Sequence, residues 1–243
     1  MFAKSFAYVA ITLGLSSMMA TTHAAIVITG TRVIYPSDQK TVAVQVKNEG
    51  AFPALMQTWV DNGDANLTPD EINVPFVITP PVSRLDPQVG QAIHISYMNG
   101  ELPQDRESVF WLNVLDIPAK PKSATEDQAS GAILQIAVRS RIKMFYRPAH
   151  LKDDAIHAAE KLKWRLNGQQ LHVENPTPYY VNISSLNIKP QTGDEKSMMS
   201  EGLMLAPFEQ KNVSLGNEKF KKFNVLSIND YGGLNNIEVD LNP

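Results

Sequence analysis

The chain has 243 residues, of which 43% are hydrophobic, a net charge of −3 and no cysteine. This length allows one large core or two domains of ordinary size. The mildly acidic balance argues against a nucleic-acid-binding protein, which needs a basic surface. Without cysteine the chain is not a small disulfide-stapled scaffold, so packed hydrophobic cores must provide its stability.

Residues 1–24 have the features of an export signal. Lys4 supplies a positive charge near the start, residues 6–19 form an apolar run with small residues in it, and Thr22-His23-Ala24 offers a small-residue cleavage site. The apolar run is shorter than the roughly 20 residues that span a bilayer, and no later run is long enough. We therefore expect a cleaved signal, a mature chain that starts near Ala25, and no membrane insertion.

Short runs rich in β-branched and aromatic residues recur after this segment, separated by clusters of Gly, Pro, Asn and Asp. The clearest runs in the first half are Ile26 to Ile34, Thr41 to Val46, Ala54 to Val60, Phe76 to Ile78, Ala92 to Tyr97, Ser108 to Leu115 and Ile133 to Tyr146. About seven strands over this length suit an immunoglobulin-like β-sandwich.

The strand pattern pauses after Tyr146, and this pause is the predicted domain boundary. Arg147-Pro148 is followed by residues 149–161, which look locally helical or irregular. Strand patterning then resumes, with Asn167-Gly168 as a hairpin turn, because both central residues of a type I′ turn need positive φ. We predict an all-β chain with one immunoglobulin-like domain at 25–148 and a second, smaller one at 149–243.

The sequence offers no motif for catalysis, cofactor binding or metal binding. It has no cysteine nucleophile, glycine-rich phosphate loop, GxSxG elbow or His-Glu-x-x-His zinc motif. Its five histidines are not at metal-ligand spacing. Two carboxylate pairs, Asp153 with Asp154 and Asp105 with Glu107, are predicted to be solvated turn charges. An exported hydrolase stays an alternative that needs a His-carboxylate or Ser-His pair in a cleft.

Several segments carry a family resemblance through their order and spacing. They are Thr31 to Pro36, Thr79-Pro80-Pro81 with Arg84-Leu85, Leu102 to Ser108, Phe110 to Val114 with Ile117-Pro118, Leu134 to Val138, Arg141 to Pro148, Glu174 to Tyr180 and Ile228 to Gly233. Each is weak alone, but together they resemble the PapD-like family of periplasmic pilus chaperones. The short polar loop from Ala119 to Gly131 and the lack of cysteine resemble its short-loop branch, which assembles rod-forming pili.

The resemblance implies two immunoglobulin-like domains in a boomerang arrangement, and a periplasmic chaperone rather than an enzyme. Such chaperones bind pilus or fimbrial subunits that lack their last strand, and complement them with a strand of their own. This prevents aggregation through open strand edges, and the subunit passes to an outer-membrane usher without ATP or a cofactor. A structural pilus subunit or adhesive sandwich protein is the alternative class, and self-association of the free protein stays open.

The resemblance assigns the donor strand to residues Ile133 to Lys143, with Leu134, Ile136 and Val138 as the side chains offered to the subunit. These three alternate positions share one face of a strand. Periodicity alone favours a different interpretation, in which they line their own domain's core while the intervening polar residues face water. Only the family resemblance supports their role as donor-strand contacts.

Arg32 and Lys143 match the two basic residues that, in the family, anchor the C-terminal carboxylate of the subunit. A guanidinium and an ammonium both form charge-assisted hydrogen bonds to a carboxylate. Lys143 lies five residues after Val138. A regular strand therefore places these two side chains on opposite faces unless a bulge intervenes.

Glu107, Arg147 and Asp230 match family residues that form an ionic link between the two domains. If such a link is partly buried, it fixes the interdomain angle more than it adds stability. Trp59 and Trp111 are predicted to serve core or strand packing rather than ligand binding.

Overall fold

The computed structural model describes residues 25–98, 100–119, 135–168, 170–188, 196–199, 201–214 and 220–241. The predicted export signal and nearly all of the predicted loop from Ala119 to Gly131 lie outside these ranges. No helix within them is long and apolar enough to cross a membrane. The strands surround two separate hydrophobic cores, one before Pro148 and one after it.

The first core lies between two sheets. One sheet consists, in spatial order, of β1 (Ile26–Ile28), β3 (Thr41–Asn48), β7 (Gly90–Tyr97) and β5 (Phe76–Thr79). The other consists of β2 (Arg32–Pro36), β9 (Val138–Arg147), β8 (Ser108–Pro118), β4 (Ala54–Asp61) and β6 (Val82–Leu85). All pairings are antiparallel except that of β2 with β9, which is parallel.

Alternating side chains build this core, as expected for strands with one buried face. In β3, Val44 and Val46 are buried while Gln45 between them is exposed. Tyr35 and Leu112 of the opposite sheet are fully buried against them. The sheets are therefore held together mainly by apolar burial between their inner faces.

Two strand predictions for this domain are wrong in their extent. The run from Ile26 to Ile34 forms two strands in different sheets, because the chain turns at Gly30, whose φ is +101°. Such a φ suits glycine, which has no Cβ. The strand predicted to begin at Ile133 begins at Val138, since residues 135–137 form no strand and residues 133–134 lie outside the described ranges.

The second half begins with a 3-10 helix, Ala149–Lys161, in the segment predicted to be helical or irregular. It leads into a three-stranded sheet of β10 (Lys163–Asn167), β11 (Gln170–Glu174) and β15 (Gln210–Ser214). The facing sheet consists of β13 (Lys196–Ser197), β12 (Val181–Ile188), β16 (Lys222–Ile228) and β17 (Leu234–Asp240), with β14 (Leu203–Leu205) also paired to β12.

The second core is formed by the inner faces of these two sheets, where Leu171, Leu186 and Leu205 are fully buried. The predicted hairpin is present, but its turn lies one residue later than predicted. Asn167 pairs with Gln170, so Asn167 ends β10 and the two-residue loop begins at Gly168 with φ +62°. Both halves are β-sandwiches, which confirms the predicted all-β, immunoglobulin-like fold.

Candidate functional site

Two neighbouring parallel strands place two cations side by side. Arg32, at the start of β2, is the register partner of Lys143 in β9. Their side chains lie on the outer face of the five-stranded sheet, because the next residues, Val33 and Met144, belong to the core. Among the described residues neither cation forms an ion pair. Nη1 of Arg32 donates to the carbonyl oxygen of Ile228 at 3.1 Å, and its Nε has no partner there.

Burial makes positive charge costly at both positions. It lowers the pKa of Arg32, an effect that Asp230 opposes. It also lowers the pKa of Lys143, which the charge of Arg32 lowers further. An anion bound between the two cations relieves both the loss of water and the mutual repulsion. The pair is therefore suited to bind a carboxylate.

The two cations line an open pocket of about 520 Å³ to which both domains contribute. Ile228, Gly232 and Leu234 line it from the second domain. Gly232 has φ +83°, and a Cβ on it would lie 2.5 Å from Oγ1 of Thr31. Only glycine permits this approach of the β16–β17 loop to the residue that precedes Arg32.

Trp111 forms a wall of the same pocket and is held from two sides. The guanidinium carbon of Arg141 lies 4.7 Å from the ring centre, which is a cation-π contact. A Cβ on Gly63 would lie 3.1 Å from the ring. Trp59 is covered by Arg139 in the same way, at 4.9 Å. Both tryptophans thus pack on the outer face of the sheet, which fits the predicted core or strand packing through its second alternative.

Asp61 holds Arg141 in place from a fully buried position. Its carboxylate accepts hydrogen bonds from Nε and Nη2 of Arg141 at 2.9 and 2.5 Å. It also accepts bonds from Nδ2 of Asn113 and the backbone nitrogen of Gly63, both at 2.7 Å. Burial works to raise the pKa of Asp61, but the hydrogen bonds outweigh it and the pKa is lowered. Arg141 is therefore already neutralised, unlike Lys143.

The two faces of β9 carry different chemistry. Its register with β8 continues without a shift from Val138 to Tyr146, so no bulge interrupts this strand. Ile142 and Met144 contact the first core, whereas Arg141 and Lys143 lie on the outer face. Val138 consequently shares the core-side face, and Lys143 lies on the opposite one.

The beginning of β9 is exposed and has a strand neighbour on one side. Ile136 is 60% exposed and Val138 37% exposed, so neither lines its own domain's core. Leu134 lies outside the described residues. Because β2 pairs only with residues 143–147 of β9, the described part of the chain leaves residues 138–142 with β8 as their one neighbouring strand. We call residues 138–142 the open edge.

Arg147, at the end of β9, connects the two domains. Its Nε donates to Oε1 of Glu107 at 2.6 Å, and its two terminal nitrogens donate to Asp230 at 2.7 and 3.0 Å. Glu107 also accepts a hydrogen bond from the backbone nitrogen of Tyr180 at 2.7 Å. The structure thus brings together all three residues of the predicted ionic link, with Asp230 contributed by the second domain.

This link is buried on its first-domain side. Glu107 is 3% exposed and Arg147 is 6% exposed, so Glu107 is not the solvated turn charge that the carboxylate-pair argument predicted. Burial raises the pKa of Glu107, against the effect of Arg147. Burial works to lower the pKa of Arg147, but Asp230 and Glu107 raise it above its ordinary value. The three groups therefore depend on one another for charge compensation.

Among the side chains that the structure describes, the other candidate groups do not assemble into a reactive centre. Asp105 is exposed and paired with the adjacent Arg106, and the side chains of Asp153 and Asp154 lie outside the described residues. Within the described ranges, no group of three or more His, Asp or Glu side chains is arranged to hold a metal ion.

Two family models match the chain in succession. The one described as "Pili and flagellar-assembly chaperone, PapD N-terminal domain" matches residues 25–152. The one described as "Pili assembly chaperone PapD, C-terminal domain" matches residues 157–239. The chain belongs to the PapD family of pilus-assembly chaperones. The resemblance predicted from its motifs is thereby confirmed.

Individual members of the PapD family are similar to this chain over most of their length. The probable fimbrial chaperone YadV of Escherichia coli is 46% identical over 217 residues, which cover 86% of this chain and 86% of YadV. The chaperone protein FimB/FhaD of Bordetella pertussis is 44% identical over 226 residues, which cover 90% of this chain and 89% of the relative.

Solved structures of PapD-family chaperones have the same fold. The Pseudomonas aeruginosa CupB2 chaperone has 36% identity and a TM-score of 0.75, with 89% of this chain and 100% of that chain covered. A chain in the complex of the Salmonella enterica SafA pilin with the SafB chaperone has 25% identity and a TM-score of 0.76. This match covers 91% of this chain and 99% of that one.

Sequence reasoning missed the support around the cation pair of this PapD-family chain. Arg139, Arg141 and Lys143 alternate in one strand, and this spacing was a signal that three cations share one face. The buried counter-charge of Arg139 and Arg141 is Asp61, which is 80 positions from Arg141. No local pattern connects residues so far apart.

Proposed function

We propose that the chain is a periplasmic chaperone that binds a pilus or fimbrial subunit by donor-strand complementation, keeps it from aggregating and delivers it to an outer-membrane usher. The observation that carries this proposal is the open edge of β9, which ends beside Arg32 and Lys143. The similarity to a chain in the complex of SafA pilin with the SafB chaperone supports a pilus subunit as the partner.

The position of the cations determines the direction of the bound strand. The open edge runs from Val138 to Ile142, and β2 with Arg32 begins where this edge ends. A subunit strand that pairs with the edge and places its terminal carboxylate between Arg32 and Lys143 must run toward Lys143, parallel to β9. Backbone hydrogen bonds along the edge then provide affinity, and the carboxylate fixes the register.

Leu134, Ile136 and Val138 are the side chains that we propose to fill the subunit's groove. Ile136 and Val138 are exposed in the unbound chain, so they have apolar surface to bury. Complete burial of such a side chain contributes roughly 1.5–3 kcal/mol, before the cost of ordering both partners is subtracted. Since residues 135–137 form no strand here, subunit binding is expected to extend β9 toward Leu134.

The link of Glu107, Arg147 and Asp230 is proposed to fix the angle between the two domains. A buried ion pair is a weak source of net stability, because desolvation offsets the attraction. Its geometric consequence is larger here. Asp230 lies two residues after Ile228, whose carbonyl oxygen accepts a hydrogen bond from Arg32. The link therefore positions the loop that borders the carboxylate-binding pocket.

We also propose that the chain is exported and that it binds its subunit without catalysing a reaction. Residues 1–24 are a signal that is removed, which leaves domains at 25–148 and 149–243. The affinity comes from strand pairing, apolar burial and two cations. Transfer to an usher therefore proceeds by strand exchange, with no enzymatic activity, cofactor or ATP.

Periplasmic co-expression of the full chain with a pilus subunit tests the anchor. The variants Arg32→Ala and Lys143→Ala are expected to lose co-purification while unfolding at nearly the wild-type temperature. Lys47→Ala is the matched control, since Lys47 lies on the other sheet with its side chain 47% exposed. A subunit extended by two C-terminal glycines should also fail to bind, because its carboxylate no longer meets the cations. Unchanged complex yield with both alanine variants contradicts the anchor.

A further inference from the structure

The buried carboxylate of Asp116 accepts a hydrogen bond from the backbone nitrogen of Ala25. Oδ2 of Asp116 accepts hydrogen bonds from the nitrogens of Ala25 and Ile26, at 2.8 and 3.2 Å. Asp116 is only 6% exposed, and its Oδ1 has no partner among the described residues. A buried carboxylate without a counter-charge and with an unsatisfied oxygen is destabilising. Among the described residues no cation forms an ion pair with Asp116, so a positive group placed at Oδ1 would compensate its charge.

Ala25 is held in this position by contacts other than Asp116. Its carbonyl oxygen accepts a hydrogen bond from the backbone nitrogen of Glu49 at 2.7 Å. Gly50 approaches so closely that a Cβ on it would lie 2.8 Å from the Cβ of Ala25. Ile26 follows at once as the first residue of β1 and is 2% exposed. The nitrogen of Ala25 is therefore directed at Asp116 by the pairing of β1 with the strand beside it.

We propose that Asp116 is a recognition site for the chain's own α-ammonium group, which forms when residues 1–24 are removed. In the uncleaved chain the nitrogen of Ala25 is a neutral amide with one proton. A signal-cleaving endopeptidase adds water across the bond between Ala24 and Ala25, so Ala24 leaves with the new carboxylate. Ala25 retains an amine, which is mostly protonated at neutral pH. Cleavage thus supplies both a positive charge and additional donors for Oδ1.

The site lies where the donor strand leaves the sandwich. Asp116 in β8 is the register partner of Val138, the first strand residue of the open edge. Ala25 leads into β1, which belongs to the opposite sheet. An ion pair between them therefore fastens the two sheets together beside the proposed donor-strand contacts. This inference rests on the proposed function only for the cleavage after Ala24.

Purified chains with defined first residues test the ion pair. One chain begins at Ala25, and a second carries Gly-Ser before Ala25, so that its Ala25 nitrogen is an amide. Each is also prepared with Asp116→Asn, and Asp86→Asn is the control, because the Asp86 side chain is 63% exposed. The chain that begins at Ala25 is expected to have the higher urea midpoint, and Asp116→Asn should remove most of that difference. Equal midpoints for the chains that begin at Ala25 and at Gly-Ser overturn the proposal.

Chemical labelling of the amine gives a second readout that does not depend on comparing stabilities. An ion pair that raises the amine's pKa by one unit reduces its reactive neutral form about tenfold. Acetylation of the Ala25 amine near neutral pH, followed by peptide mass spectrometry, should therefore be about tenfold slower than in Asp116→Asn, with Lys47 as the internal reference. Equal labelling rates overturn the ion pair.

N-terminal sequencing of the exported protein completes the test. It is expected to begin at Ala25. A different first residue overturns the maturation site and the proposed cleavage position, whereas the co-purification experiment with Arg32→Ala and Lys143→Ala still decides the subunit-binding function separately.

Discussion

Lys143 lies beside Arg32 across the parallel strands β9 and β2, and among the described residues neither cation forms an ion pair. Proteins normally compensate buried charges with a partner. Here a second polypeptide is proposed to provide it, in the form of a terminal carboxylate. Subunit binding is therefore favoured by the protonated form of Lys143, whereas folding is favoured by its neutral form.

Subunit binding is expected to weaken as the pH rises. This should happen at a lower pH than it would if Lys143 had the pKa of an ordinary lysine. The pKa of Lys143 lies below its ordinary value of 10.5 in the unbound chain, so its ammonium is lost earlier as the pH rises. Lys143→Arg should bind at high pH, since a guanidinium keeps its charge. Dissociation constants measured from neutral pH to about pH 10 for both proteins test this expectation.

The free energy of unfolding should increase with pH over the range in which subunit binding weakens. The unfolded chain retains the Lys143 proton to a higher pH than the folded chain, so stability rises with pH between the lowered folded pKa and 10.5. Identical pH profiles of binding for wild type and Lys143→Arg would argue against a titrating anchor.

Removing Arg147 should destabilise the chain more than removing the ionic link altogether. Arg147→Met leaves Glu107 buried without its cation, which typically costs about 3–5 kcal/mol. The double variant Arg147→Met with Glu107→Gln buries no uncompensated charge there and should recover part of this loss. Urea denaturation followed by fluorescence measures both. Arg106→Met is the matched control, because the Arg106 side chain is 44% exposed. If the double variant is as unstable as the sum of both single variants, the coupling is absent.

The parts of this molecule that sequence could predict are those that repeat locally or match a motif. Alternation predicted most strands, and the confirmed family resemblance directed attention to Arg32, Lys143 and the three residues of the ionic link. The hydrophobic run across Gly30 did not reveal that β1 and β2 join different sheets. A pattern of side chains records burial, and both strands contribute buried side chains to the same core although their partner strands differ.

The support of the site was hidden for a different reason. Asp61 and Arg141 are distant in sequence and meet only because β4 and β9 both flank β8. The sequence pattern also placed the start of β9 too early, because Ile136 is apolar like a strand residue of the core but is 60% exposed. An apolar residue that binds a partner cannot be distinguished by sequence from an apolar residue of the core.

Asp61→Asn is expected to loosen the wall of the carboxylate pocket. Arg141 loses its counter-charge, and the free energy of unfolding should fall by about 2–3 kcal/mol, less than for a fully buried pair because Arg141 is partly exposed. Trp111, stacked under Arg141, should report the change as a shift in fluorescence emission. Asp86→Asn should leave both measurements unchanged.

The same carboxylate gives a pH dependence of known sign. Because the pKa of Asp61 is lowered in the folded chain, its contribution is present above the ordinary aspartate pKa of about 3.9 and is lost as the pH falls through the folded value. The difference in stability between wild type and Asp61→Asn should therefore shrink toward acid pH. A difference that is constant down to about pH 2 would show that Asp61 acts through packing rather than charge.

Serine substitutions at Ile136, just before β9, and at Val138, its first residue, should separate folding from subunit capture. Ile136 and Val138 are exposed, so Ile136→Ser and Val138→Ser are expected to change the free energy of unfolding by at most about 0.5 kcal/mol. Each removes apolar surface that the subunit is proposed to bury, and a loss of about 1.4 kcal/mol weakens binding tenfold. The double variant should thus bind a subunit about a hundredfold more weakly. Val77→Ser, 48% exposed on β5 of the other sheet, removes a similar side chain outside the edge and should bind normally. Equal subunit affinity for the double variant and Val77→Ser would mean that these side chains remain outside the subunit's groove.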